Sequence, residues 1–318
     1  MAVVDQQTEM TRDRHAGPSL AKRPRWLNSS RLLIMPALIF AIVVTQAPFL
    51  LTLYYSFLRW NLLRPETRSF VGLQNYRRIL VDDEVFRTAI LNTVIFTVGV
   101  VTISLVLGLF YAELVNHRFP GRGIVRTMLI TPFLVMPVVT ALSWKYQMFD
   151  PDFGIIDWLL RSVQPGTDDW SPVWLSHYPK ESIIIMLVWR WAPFMMLILL
   201  AGMQSINEEV REAARVDGAT AWQRFTRITL PLMKPAILVA LLFRTLDAFR
   251  VFDTIFVMTR GALDTESVSI LGFNQLISRL NLGLGSAVSV LIFFSVLIIA
   301  FIFIRGFGVR MAEGRPGS

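Results

Sequence analysis

Six apolar runs alternate with polar segments along this chain, at about 32–57, 89–114, 124–148, 182–203, 233–257 and 283–305. Each exceeds the ~20 residues that carry a helix across a bilayer. Lipid offers a backbone no hydrogen-bond partners, so such runs must satisfy their own amides as helices. The pattern therefore predicts an all-α integral membrane fold of six transmembrane helices. Pro36, Pro48, Pro137 and Pro193 fall inside the runs. They predict kinks rather than span ends, since neighbouring helices can satisfy the freed carbonyls. The third run (Pro132, Pro137, Lys145) and the charged fifth run are the least clean. The expected organisation is a polar tail over 1–31, a six-span unit over 32–305, a polar loop over 204–232 and a second tail over 306–318.

Composition agrees. Of 318 residues, 54% are hydrophobic and 17% charged, where a soluble domain carries about 25% charged. Cysteine is absent, which excludes disulfides and thiolate metal sites. His15, His117 and His177 lie far apart, so no metal cluster is expected. The net charge of +8 is explained by cytoplasmic Arg and Lys without invoking nucleic acid. With both termini cytoplasmic, the inner segments 1–31, 115–126, 204–232 and 306–318 hold more Arg and Lys than the outer ones. That bias sets the expected orientation. The outer segment 58–88 runs against it with Arg59, Arg64, Arg68, Arg77, Arg78 and Arg87. Arg23, Arg25 and Arg31 precede the first run as in a signal peptide, but the run is too long and no small-x-small site follows. It reads as a retained span, with residues 1–25 expected to be disordered.

The polar loop predicts a short helix. Asn207, or a box of Ser205 with Glu208, caps it, and Glu208 and Glu209 suit its first turn. Glu208/Arg211 and Glu212/Arg215 are spaced to pair, and Val210, Ala213 and Ala214 share a face. Gly218 supplies the left-handed residue that ends a helix, and a second helix then enters the membrane at Pro231. On spacing alone, this is equally an ordinary solvated connector. No catalytic set of residues is visible. No Gly-Lys dipeptide exists, so the chain has no phosphate-cradling loop.

Glu212-Ala213-Ala214-x-x-Asp217-Gly218-Ala219, followed by Phe225, Ile228, Leu230, Pro231 and Pro235, resembles the cytoplasmic loop of binding-protein-dependent ABC importer permeases. Resemblance extends over about 30–310. Phe70-Val-Gly-Leu-x-Asn-Tyr76, Asn92-Thr93, Trp144-Lys145 and Phe252-Asp253 with Thr259 and Thr265 are similar to the carbohydrate-uptake, maltose-permease-like branch. One departure is Arg260-Gly261-Ala262, where many relatives have Gly-Gly-Pro.

The resemblance implies a non-catalytic subunit of an ATP-driven sugar importer in the bacterial cytoplasmic membrane, with a disaccharide such as trehalose as cargo. It implies a coupling helix in which Glu212, Ala213, Ala214, Asp217, Gly218 and Ala219 engage an ATPase. The expected partners are a second homologous permease, two ATPase subunits and an extracellular substrate-binding lipoprotein. This chain itself would bind no cofactor; ATP and magnesium would sit on the partner ATPase.

Arg244, Asp247, Arg250 and Asp253 recur every three residues in the fifth run. Charges at mid-membrane cost ~2.5–3.5 kcal/mol each even on lenient scales, so these should face protein or a cavity. They read either as an ion-pair ladder between permease subunits or as a polar lining for sugar hydroxyls. A proton relay is the weakest option, since Arg does not release protons. Trp189, Arg190 and Trp191, before Pro193, are candidates for the same pathway, although tryptophans near a span end also suit an interface anchor. Trp144, Trp158, Trp170 and Trp174 read as outer belt and loop. Asn274 and Gln275 are candidate contacts for the binding protein. The rival readings are an ion-coupled secondary transporter, a non-transporting scaffold or receptor, and a permease for another solute such as glycerol phosphate.

Overall fold

The computed structural model describes residues 27–163 and 173–308. His15, Trp170 and most of both predicted tails lie outside them. The chain divides after Leu51 into two units. The first holds most of α1 (Leu27–Ser56), which runs through Pro36 and Pro48 as expected. Its Leu38, Phe40, Val43 and Leu50 side chains are exposed.

The second unit opens with an element that the all-α expectation lacked. β1 (Leu58–Asn61) and β2 (Arg64–Phe70) form an antiparallel hairpin with Leu58 opposite Phe70. Next come α2 (Gln74–Arg77) and a π-helical turn over Arg78–Asp82. The Asp83 carboxylate then accepts from the Val85 and Phe86 amides and caps α3 (Glu84–Asn116). The chain continues as α4 (Arg122–Leu134), α5 (Pro137–Ser143), α6 (Ile155–Val163), α7 (Trp174–His177) and α8 (Pro179–Gln204). After α9 (Glu208–Val216) come α10 (Ala221–Arg224), α11 (Leu230–Leu232) and α12 (Lys234–Phe249). α13 (Asp253–Met258), α14 (Val268–Phe273) and α15 (Leu282–Gly308) complete the fold.

Helices α3 and α8 form the central pair. A Cβ on Gly108 of α3 would sit 2.6 Å from the Met195 Cβ of α8, so the missing side chain lets the two backbones approach closely. Ala112, Val115, Met195, Met196 and Leu199 fill one part of the core. Phe96, Val100, Ile183, Met186, Ile255 and Ile270 fill a second part, and Ile79, Phe86, Ala89, Leu271 and Val288 a third. Gly202 of α8 makes a second close approach, to Ala236 of α12.

Four of the six expected spans are single helices: Ile34–Ser56, Glu84–Asn116, Pro179–Gln204 and Leu282–Gly306. The other two are bent pairs, and the count reaches six when each pair is taken as one span. In the third run, Pro137 does more than kink the helix. Met136 is extended at ψ 138°, as a residue before proline tends to be. The helix restarts with Pro137 in its first turn at 97° to α4. In the fifth run, the helix enters at 67° to the preceding segment and stops at Phe249. It resumes at Asp253. The three-residue charge pattern is therefore cut between Asp247 and Asp253. Trp144 is also placed differently from expectation: it is buried and packs on Phe149 and Trp189.

Candidate functional site

The polar loop folds much as its local signals require. The Asn207 side chain accepts from the Glu209 amide at 3.2 Å and caps α9 directly. Glu208 and Arg211 approach to 3.8 Å, whereas Glu212 and Arg215 do not close to ion-pair distance. Gly218 takes φ +73°, the left-handed conformation that ends the helix. Only Ala214 of the small-residue face turns inward; Val210 and Ala213 face outward.

Arg211 anchors the base of α9 by donating to the Met203 carbonyl at 2.6 Å, and Arg224 donates to the Ala219 carbonyl at 2.6 Å. A capping box that the sequence reading overlooked opens α10: Thr220 Oγ1 accepts from the Gln223 amide while Gln223 Oε1 accepts from the Thr220 amide. The Thr-x-x-Gln spacing was the available signal. The loop presents Val210, Val216 and Trp222 outward; Val216 is 88% and Trp222 71% exposed. A cavity of about 790 Å³ lies behind it, bordered by Glu113, His117, Arg122, Arg211 and Phe225.

A second polar feature lies inside the helical region. Arg244 is 1% exposed and donates to Asp247 at 2.5 Å. Its guanidinium lies 4.4 Å from the Trp191 ring centroid, and that of Arg190 lies 5.0 Å from the same ring. Sequence reasoning named Trp189, Arg190 and Trp191 together; the structure brings Arg190 and Trp191 to this site. Arg190, Arg244, Asp247, Arg250 and Asp253 all line one cavity of about 230 Å³, with Trp191, Phe252 and Thr254. The break after Phe249 lets the fifth run supply charge from a helix end, a non-helical segment and a new helix start. Trp189 instead packs on Trp144.

On the face opposite the polar loop, Asn92 of α3 donates to Asp264 at 3.4 Å and to the Glu266 carbonyl at 3.2 Å. Lys180 meets Asp264 at 2.6 Å. These contacts fasten the segment 259–266 to both α3 and α8. The Lys180 ammonium hydrogen bond holds the Asp264 carboxyl below the usual carboxylate range, against desolvation by burial; the Asn92 amide and the Lys180 charge add to the lowering. Thr259 and Thr265 share a hydroxyl hydrogen bond at 2.6 Å. Of the two candidate partner contacts, Asn274 is engaged with Glu266 and Gln275 is buried at 5% exposure. Gln275 thus offers no surface to a partner in this conformation.

The family described as "Binding-protein-dependent transport system inner membrane component" matches residues 104–312, two thirds of the chain and all of the loop and cavity above. The chain belongs to this family. The permease is 42% identical over 319 residues to the trehalose transport system permease protein SugA of Mycobacterium tuberculosis, covering 100% of both chains. It is 37% identical to the trehalose/maltose transport system permease protein MalF of Thermococcus litoralis, over 86% of this chain and 92% of that one. Its fold matches a bacterial alginate ABC transporter chain with a TM-score of 0.75 at 21% identity, covering 89% and 96% of the two chains. The permease is thus a multi-pass membrane subunit of a transport system, and the sequence resemblance is confirmed.

Proposed function

We propose that this permease forms half of the translocation pathway of an ATP-driven disaccharide importer, with trehalose as cargo. One observation carries the cargo assignment: identity to a trehalose permease is 42% with neither chain left uncovered. A second, homologous permease completes the pathway. An extracellular binding lipoprotein delivers sugar, and two ATPase subunits bind ATP with magnesium. Both termini and the 204–232 loop face the cytoplasm.

The exposed Val210, Val216 and Trp222 around Glu212–Ala219 suit a docking face for the ATPase, because they would be costly to leave in water. The capping box and the Arg211 anchor make the loop rigid enough to pass a displacement on to α8 and α12. ATP binding closes the ATPase pair and shifts an equilibrium between inward- and outward-facing states. Sugar passes near the Arg190/Arg244/Asp247/Asp253 cavity. There the aromatic Trp191 and the Arg and Asp side chains offer stacking and hydrogen bonds to sugar hydroxyls.

The test is hydrolysis by the tagged permease purified with its co-purifying subunits, supplied with the binding protein and a panel of sugars. Vanadate-sensitive hydrolysis stimulated by trehalose alone is the expected result. Stimulation by another sugar would overturn the cargo. Transport by the isolated chain under an ion gradient, with no ATPase, would overturn the whole reading.

A further inference from the structure

Six arginines between positions 58 and 88 contradict the charge bias that orients the chain, and the structure places five of them. Arg68 lies over the Trp60 ring at 4.4 Å. Arg87 donates to the Val81 carbonyl, and Arg59 donates to the Gln74 side chain. Arg77 and Arg78 are exposed and have no acidic side chain within ion-pair distance among the described residues. Together with Arg59, Gln74, Asn281 and Leu284 they line a cavity of about 460 Å³, in which Asp82 is the one acidic residue.

This cavity lies where two spans begin. Asp83 caps α3 directly after the π-helical turn, and Asn281, which accepts from the Leu284 amide, directly precedes α15. Buried Asn75 and Ile79 pin the short α2 segment in place; the Asn75 amide donates to the carbonyls of Ser56 and Leu58. Its outward side carries large apolar residues beside the arginines: Leu73 is 68%, Leu80 50% and Val81 58% exposed. Interleaved arginine and aliphatic side chains on a short element at span ends form an interfacial surface, with stems in the acyl region and cations at headgroup level.

We propose that the Arg59–Arg77–Arg78 cavity binds the phosphate of an anionic phospholipid headgroup, whose acyl chains lie along Leu73, Leu80 and Val81. An acidic protein surface would satisfy the arginines but not the exposed aliphatic side chains between them. Guanidinium forks suit bidentate phosphate recognition, and amides of Gln74 and Asn281 add neutral polar groups to the lining. The site is independent of which solute the permease carries. It places cations on the side of the membrane where the charge bias disfavours them, because there they have a ligand.

The test is native mass spectrometry of the complete complex incubated with phosphatidylglycerol, phosphatidylcholine or inorganic phosphate. The variants are Arg77→Gln with Arg78→Gln, and Arg77→Lys with Arg78→Lys. Wild type should retain phosphatidylglycerol over phosphatidylcholine, and millimolar phosphate should not displace it. The glutamine pair should cut retention about thirtyfold, each cation contributing about fivefold at an anionic surface. The lysine pair should keep most of it. Equal retention by the glutamine pair overturns the proposal, as does displacement by phosphate, which would mark a soluble-anion site. Unchanged lipid retention with weakened binding-protein affinity would make the cavity a protein-docking surface and also overturn it. If the glutamine pair does not assemble, the wild-type preference among the three ligands decides.

Discussion

The guanidinium carbon of Arg244, on α12, lies 4.4 Å from the ring centroid of Trp191, on α8. The contact joins two helices through a residue that is 1% exposed and charged. Its ion-pair partner Asp247 keeps 47% side-chain exposure, so the pair opens toward the cavity. Replacing Arg244 with Ala should cost about 2–3 kcal/mol, less than the ~3–5 of a fully buried pair. Arg244→Lys keeps the charge but loses the flat face over Trp191. The lysine variant should assemble yet import sugar several-fold more slowly. Labelled-sugar uptake normalised to assembled complex measures this; full uptake by both variants would remove the cavity from the pathway.

Gly218 is expected to be essential for coupling and not for insertion. It sits at φ +73°, and its amide donates to the Arg215 carbonyl at 3.1 Å. Proline can neither take that angle nor donate. Gly218→Pro should leave the protein in the membrane and lower uptake per ATP hydrolysed by about tenfold or more, within the usual range of coupling energies. The ratio of uptake to hydrolysis in proteoliposomes is the readout, and a normal ratio would refute a coupling role.

Arg260 adopts φ +55°, the left-handed conformation that favours glycine. A left-handed non-glycine residue costs ~1–3 kcal/mol. Its guanidinium, 5.9 Å from the Phe256 ring, recovers only part of that. Arg260→Gly should therefore stabilise the purified permease by roughly 0.5–1 kcal/mol. A rise in the thermal unfolding midpoint is the expected observation; a fall would mean that the strain is offset by contacts of the Arg260 side chain.

The Lys180–Asp264 contact should give the 259–266 segment an acid-sensitive hold. The Asp264 pKa is depressed when folded, so the stabilisation is fully present above the ordinary aspartate pKa, about 3.9. It is lost as pH falls through the lower folded value. Hydrogen exchange of residues 259–266, measured against the intrinsic amide rate at each pH, should accelerate below about pH 4 in wild type. In Lys180→Met it should already be faster at neutral pH. Identical exchange in both proteins would show that Asn92 and the Thr259–Thr265 bond suffice.

Gly108 tests the central helix pair. A Cβ there would lie 2.6 Å from Met195 Cβ and 3.1 Å from the Met196 amide nitrogen. Gly108→Val should force α3 from α8 and cost at least about 1–3 kcal/mol, seen as reduced recovery of assembled complex. Recovery equal to wild type would show that the interface tolerates separation.

What the sequence determined by itself is what neighbours along the chain decide. The apolar runs set four single-helix spans and the location of two more, because hydropathy over ~20 residues governs transfer into lipid. Asn207, Glu208 and Gly218 dictated α9 and its ends, because caps and left-handed residues act within one turn. What only the tertiary structure decided depends on how helices rotate against one another. Hydropathy does not report whether Pro137 kinks a helix or breaks it by 97°. It does not report that α12 stops at Phe249, which turns a three-residue charge ladder into the wall of a cavity. Burial of Gln275 and Trp144, and the placing of Trp191 between two arginines, follow from packing of segments tens of residues apart. Two-sided contacts of that kind leave no periodic trace in either segment alone.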